Sequence, residues 1–368
     1  MFSRRLCLFE NTQNTIFELP FGLTLHDEEM LMREITYVEA INEALREEMI
    51  RDPRVFVMGE DIRYGHGGGI FGATKGLYEE FGDERVIDTP LSELAISGAA
   101  SGAAFMGLRP VAEIMFADFI AICMDQIANG AAKFRWASNG KYGCPVVYRA
   151  AYGAGVGAGL HHSQSPEAWL MNVPGLTIVM PSTPYDAKGL LKSAIRYEDP
   201  VVFLEHKFLY RRLKGEVPEE EYLVPIGKAD VKREGSDVTI VATGAMIHQA
   251  LVAAAALEQE GISAEVVDPR TLLPLDEETV IQSVQKTGKL VIVHEAPVTG
   301  GFGAEVAAVV AEKALDYLDA PILRVGAPFS PVPANRNMEK NFYLPNAERI
   351  QRSVKELVTS EVSYEPAR

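Results

Sequence analysis

Apolar and polar positions along this chain follow two periods, and the switch between them recurs. Residues 36–51 carry Val38, Ile41, Leu45 and Met49 at helical spacing, one face of an amphipathic helix. Arg54-Val55-Phe56-Val57-Met58-Gly59 follows as a short apolar run closed by glycine, the pattern of a buried strand. Further strands are predicted over 108–116, 144–150 and 201–205, and helices over 94–105, 119–136 and 184–196. Strands alternating with helices predict a parallel sheet covered on both faces.

Residues 206–236 break the pattern. They are charge-rich and contain Pro218 and Pro225, which reads as a surface linker. The alternation then restarts, with strands predicted over 237–242, 264–268, 290–294 and 322–325 and helices over 245–259, 303–318 and 348–359. The expected organisation is an N-terminal extension (1–33), an α/β domain (34–205), a linker (206–236) and a second, smaller α/β domain (237–368). No short tandem repeat is visible.

Composition narrows the function classes. A chain of 368 residues is long enough for two ordinary domains. A net charge of −16 argues against a nucleic-acid partner and suits a basic protein partner steered by long-range attraction. No apolar run approaches the roughly 18 residues of a membrane span. Cys7, Cys123 and Cys144 lack metal spacing and leave at least one thiol unpaired, as in a reducing compartment. A cytoplasmic, bacterial or archaeal protein is therefore expected. Ser3-Arg4-Arg5 superficially matches a twin-arginine signal, but no long apolar region follows and Glu10, Glu18, Asp27, Glu28 and Glu29 intrude. The segment reads as a non-targeting extension. A transit peptide to the mitochondrial matrix is the alternative, and those same acidic residues disfavour it.

Two glycine patterns mimic a dinucleotide fingerprint: Gly67, Gly69 and Gly72, and, in relaxed form, Gly153, Gly155 and Ala158. Such a fingerprint must open a helix directly after a strand. Neither match does, so the glycines read instead as places of close backbone approach to a ligand or another subunit. No phosphate-loop pattern of the G-x-x-x-x-G-K-[ST] type occurs.

The densest chemical signal is Val86-Ile87-Asp88-Thr89-Pro90-Leu91-Ser92-Glu93. It reads as a strand, a proline-stiffened turn, and a carboxylate at the mouth of an apolar, Gly/Ala-rich helix. Poor hydration there favours the neutral acid and should raise the pKa of Glu93, which makes it a functional candidate. The plain alternative is a negative charge placed at a helix N-terminus.

Asp88-Thr89-Pro90-Leu91-Ser92-Glu93 resembles the glutamate motif of the β subunit of thiamine-diphosphate-dependent 2-oxo acid dehydrogenases, the group of pyruvate, branched-chain and acetoin enzymes. Further blocks match in order: Gly59-Glu60-Asp61, Arg109-Pro110, Glu113-Ile114-Met115-Phe116-Ala117-Asp118-Phe119, His162-Ser163-Gln164-Ser165-Pro166-Glu167-Ala168, Pro181-Ser182-Thr183-Pro184, His294-Glu295-Ala296-Pro297 and Gly300-Gly301-Phe302-Gly303. The resemblance covers roughly residues 34–360. It implies a transketolase-like pyrimidine-binding domain followed by a transketolase C-terminal domain, each a three-layer fold around a parallel sheet.

The resemblance also implies roles. Glu93 would share a proton with the pyrimidine nitrogen of thiamine diphosphate, Phe119 would stack near that ring, and Leu91 would give it an apolar contact. Ordinary core packing is the plain alternative for Leu91 and Phe119. Glu60, ending a strand, takes a supporting polar role. His162 would be proton donor and orienter in acyl transfer to lipoamide, while His161 faces away. Arg149 has no role assigned beyond pairing with some carboxylate.

The family's magnesium motif, Gly-Asp-Gly, is absent from this sequence, so an α subunit is expected to bring the diphosphate and the magnesium, in an α2β2 assembly with a second β subunit. A dihydrolipoyl acyltransferase core is the expected downstream partner. A monovalent cation such as potassium is implied near Ala194, Ile195 and Asp199, though Tyr197 stands where an acidic residue is common. The pyruvate type leads, with the branched-chain and acetoin types as alternatives. A non-catalytic scaffold or docking subunit is the reading from another class.

Overall fold

In a computed structural model of the chain, residues 31–63 and 68–359 are described. The N-terminal extension up to residue 30, including Cys7, and Gly67 of the first glycine pattern lie outside them.

Among the described residues, fourteen strands run in the order β1 (Met32–Thr36), β2 (Val55–Glu60), β3 (Val86–Thr89), β4 (Arg109–Ile114), β5 (Val147–Tyr152), β6 (Thr177–Val179), β7 (Val201–His206), β8 (Lys214–Pro218), β9 (Asp230–Arg233), β10 (Val238–Ala242), β11 (Ala264–Asp268), β12 (Thr271–Leu273), β13 (Leu290–Pro297) and β14 (Leu323–Ala327). They form a seven-stranded sheet ordered β12-β6-β7-β5-β4-β2-β3, a five-stranded sheet ordered β14-β13-β10-β11-β9, and the pair β1-β8. The two large sheets are parallel except for one antiparallel edge strand each, β12 and β9. The two-domain parallel α/β architecture is therefore the observed one. Its central strands are buried along their whole length, as a sheet covered on both faces requires.

Local chemistry accounts for the best-defined helices. Tyr37–Arg51 starts at Thr36, whose side chain accepts from Glu39 N–H while Glu39 reaches back, a capping box. Pro184–Arg196 starts behind the cap Thr183 with proline in its first turn. The two helices pack against each other, and Lys188 and Lys192, both buried, reach Glu43 and Glu47 at 2.6–3.1 Å. The aliphatic stems fill the helix interface while each ammonium meets a carboxylate.

The structure corrects three expectations. Residues 206–236 do not behave as a free linker: β8 pairs with β1, β9 joins the second sheet, and Leu209, Tyr210, Val217 and Val224 are buried. Their charge-rich composition reflects edge positions, where alternate side chains face water. The boundary is also crossed in the other direction, because β12 lies in the second half of the chain yet extends the first sheet. Finally, 119–136 is not one α-helix. It runs from a 3-10 turn (Ala117–Phe119) into Ile120–Met124, a π segment (Asp125–Ala131) and Phe134–Ala137; π segments inside helices gather at functional sites.

Candidate active site at the carboxyl edge of the first sheet

Because β2, β3, β4 and β5 are parallel, their carboxyl ends open on one edge, where ligands of open α/β sheets bind. Glu60 ends β2 and is buried, and it accepts the Ser92 N–H from the loop after β3. Among the described residues its Oε1 has no hydrogen-bond partner. Burial, reinforced by the nearby Glu93 and Asp61 charges, pushes the Glu60 carboxyl up to about 7.

Glu93 is the first residue of the helix Glu93–Phe105 and is half-buried. Among the described residues its carboxylate makes no hydrogen bond, and the capping position, Ser92, makes no side-chain cap. The helix start is held through the Glu93 carbonyl instead, which accepts from Ser97 Oγ at 2.8 Å and Cys123 Sγ at 3.4 Å. The carboxylate is thus left free at the sheet edge. Leu91 is 82% exposed, which rules out core packing within this chain. The turn adds two more buried oxygens without partners, Asp88 Oδ1 and Thr89 Oγ1.

The segment after β4 supplies aromatic surface. The His162 ring meets the edges of Phe116 (4.9 Å between centroids) and Phe119 (5.6 Å). His162 is half-buried and its neighbour His161 exposed. Asp118, between the two phenylalanines, holds the far end of the histidine loop by accepting Gln164 N–H at 3.1 Å and its side-chain amide at 2.9 Å. Its second oxygen, Oδ2, is buried and unpartnered. Lys207, just after β7, places its ammonium 5.4 Å from the Phe116 ring and has no hydrogen-bond partner among the described residues. Burial pushes it down to about 8.

Glu60, Glu93, Phe119 and His162 therefore belong to a strand end, helix starts and a loop at one sheet edge, with Leu91 exposed in the turn after β3. Orphaned oxygens of Glu60, Asp88, Thr89 and Asp118 lie on those same segments. Acceptors without donors beside a half-buried aromatic wall fit a planar, hydrogen-bonding heterocycle. Asp118 and Lys207 carry no role in the sequence reading. Asp118 stands within a matched block, but nothing along the chain shows that it faces Gln164.

Arg149 does find its carboxylates. It donates to Glu205 through Nε (2.6 Å) and Nη2 (2.7 Å) and to Glu113 through Nη1 (2.8 Å), tying β4, β5 and β7 together behind the site. The proposed cation segment is occupied differently. Arg109 donates to the carbonyls of Ile195 (3.0 Å) and Tyr197 (3.1 Å), the Ala194 carbonyl accepts Tyr197 N–H at 3.2 Å, and Arg135 Nε meets both oxygens of Asp199 at 2.7 Å. Two guanidinium groups and one backbone N–H already occupy these oxygens, so the residues do not fit a monovalent cation as arranged. The glycines of the second pattern serve close approach within the chain: a Cβ on Gly153 would lie 2.3 Å from His206 Nε2, and one on Gly155 3.0 Å from Phe208.

The fold and this edge define a class. A model described as the transketolase pyrimidine binding domain matches residues 33–212, and one described as the transketolase C-terminal domain matches 227–350. The chain is 54% identical to the 2-oxoisovalerate dehydrogenase subunit beta of Bacillus subtilis (strain 168), over 89% of this chain and 99% of that one. Two other proteins of the same strain are similar. The acetoin:2,6-dichlorophenolindophenol oxidoreductase subunit beta is 48% identical over 92% of this chain and 99% of its own. The pyruvate dehydrogenase E1 component subunit beta is 47% identical over 89% and 99%. Among solved structures, a split-gene transketolase described as an inactive beta4 tetramer superposes with a TM-score of 0.71 at 28% identity, covering 88% of this chain and 98% of that one. The chain belongs to the β subunits of the thiamine-diphosphate-dependent 2-oxo acid dehydrogenases, within the transketolase-like proteins.

Proposed function

We propose that this β subunit supplies the pyrimidine half of a thiamine diphosphate site, and that with an α subunit it decarboxylates a branched-chain 2-oxo acid and passes the acyl group to lipoamide. The observation that carries the reading is the convergence of Glu60, Glu93, Phe119 and His162 on one sheet edge lined by unpartnered acceptors. The cofactor, when bound, supplies a thiazolium carbon that acts as nucleophile and then as electron sink.

This chain's residues do the rest. Glu93 holds a proton on a carboxyl oxygen and shares it with the pyrimidine nitrogen, a role that needs an acid partly shielded from water. Glu60 contributes a second, buried carboxyl at the same sheet edge. Leu91 and Phe119 give the ring its apolar contacts, and His162 donates a proton and orients the acyl group during transfer. The α subunit brings magnesium and the diphosphate contacts, consistent with the absence of Gly-Asp-Gly here. The assembly is α2β2, and a dihydrolipoyl acyltransferase is the acceptor.

The branched-chain type takes precedence because identity is 54% to that subunit against 47% to the pyruvate subunit of the same organism. The pyruvate type expected from the sequence blocks is the second reading. The test is a panel of pyruvate, 2-oxoisovalerate and acetoin in the assembled enzyme, with dye reduction as readout. Glu93→Gln should lower turnover on the preferred substrate at least about a hundredfold while the complex still assembles. Near-normal turnover in that variant would sink the mechanism.

A further inference from the structure

The His162 loop is not held by its own domain alone. Its descending arm leaves β5, and Ala154 N–H donates to Glu295 Oε1 on β13 of the second domain. Ser165 Oγ, beyond the histidine, donates to the same oxygen at 3.3 Å, so one carboxylate closes both arms of the loop. Glu295 Oε2 pairs with His206 Nε2 at 2.7 Å. Midway along the loop, Gly157 N–H donates to Glu339 Oε2 at 3.0 Å, again from the second domain. Glu295 is 4% and Glu339 2% exposed. Although burial opposes the charge, the His206 and Ala154 contacts hold the Glu295 carboxyl below its ordinary value. Hydrogen bonds from backbone N–H to an ionised carboxylate are about twice as strong as neutral ones.

The backbone is shaped for this grip. Gly153 has φ +91° and lies against the His206 ring, and Gly157 has φ +76° with Arg336 where a Cβ would be. Both conformations favour glycine. Lys207, buried near the same loop, feels the charges of Asp118, Glu295 and Glu339.

We propose that Glu295 and Glu339 of the second domain are positioning residues for the reaction: they fix the loop that presents His162 to the acyl group. The inference rests on the role given above to His162 and assigns the second domain a part in the chemistry. A loop freed of these anchors would still leave Glu93 and the pyrimidine contacts in place. Decarboxylation should then survive while transfer to lipoamide suffers.

The experiment uses the complex assembled with the diphosphate-binding subunit and compares Glu339→Ala with Glu339→Gln, which keeps an acceptor oxygen. Each is measured for acyl transfer to a lipoyl domain and for dye-coupled decarboxylation, in the native and the His162→Ala background. Expected is a roughly ten- to hundredfold loss of transfer in Glu339→Ala, dye-coupled turnover within about twofold, recovery in Glu339→Gln, and no further loss once His162 is gone. Equal loss in both assays, no recovery with glutamine, or an added loss in the His162→Ala background would overturn the proposal. Should Glu339→Ala fail to assemble, Glu339→Met fills the volume without an acceptor and decides the same point by the same outcomes. An inactive unmodified complex would instead refute the proposed function, and His162→Ala striking both assays equally would refute the role of that histidine.

Discussion

At the scale of single residues, the site turns on two carboxylates in different environments. The sequence singles out the acid at Glu93, at the mouth of an apolar helix. The structure adds Glu60, which is buried at a strand end, bound to Ser92 N–H and pushed up to about 7, with burial as the leading cause. Glu60 is legible as a strand-end carboxylate; its desolvation is not, because that depends on β3 and β4 closing over it. The sign of its effect on stability follows from linkage. Its folded value lies above its ordinary 4.5, so the folded chain keeps a proton that the unfolded chain releases. The stability this contributes is complete below the ordinary value and is lost as pH rises through about 7. Glu60→Gln removes the dependence. Thermal unfolding of the isolated chain should show the native protein losing ground to this variant between pH 4.5 and about 7, with parallel curves above. Parallel curves throughout would mean that Glu60 is not desolvated.

At the scale of elements, the helices that carry their own start signals were the most legible. Thr183-Pro184 fixes the first turn of Pro184–Arg196, and its apolar spacing does the rest. What could not be read were pairings remote in sequence. β12 spans three residues and adds antiparallel to β6, about ninety positions earlier, and nothing within three residues specifies such a partner. The same holds for Lys188 and Lys192, which look like solvent-facing positions until the facing helix supplies Glu43 and Glu47. Arg149 is the strongest case. Its guanidinium is enclosed between Glu113 on β4 and Glu205 on β7, so it sets the spacing of the strands under the site. Arg149→Met would leave two carboxylates without their cation in the sheet and should cost about 3–5 kcal/mol. Denaturant unfolding of the isolated chain measures this directly, and a cost below about 1 kcal/mol would show that the triad contributes little net stability.

At the scale of the whole molecule, the candidate site residues gather at one edge of the first sheet. The carboxyl edge carries acids, aromatic rings and a histidine, and Leu91 in the turn after β3 is 82% exposed. The second domain reaches back to that edge through Glu295 and Glu339, so the two domains act on one loop even though the sequence separates them as successive α/β units. The central claim is that only half of a thiamine diphosphate site resides here. Calorimetry of thiamine diphosphate with magnesium, titrated into this chain alone and into the complex with its α subunit, tests it most directly. Tight binding confined to the complex is the predicted result. Tight binding to the chain alone would contradict the half-site account, and absence of binding in both would leave the scaffold reading in its place.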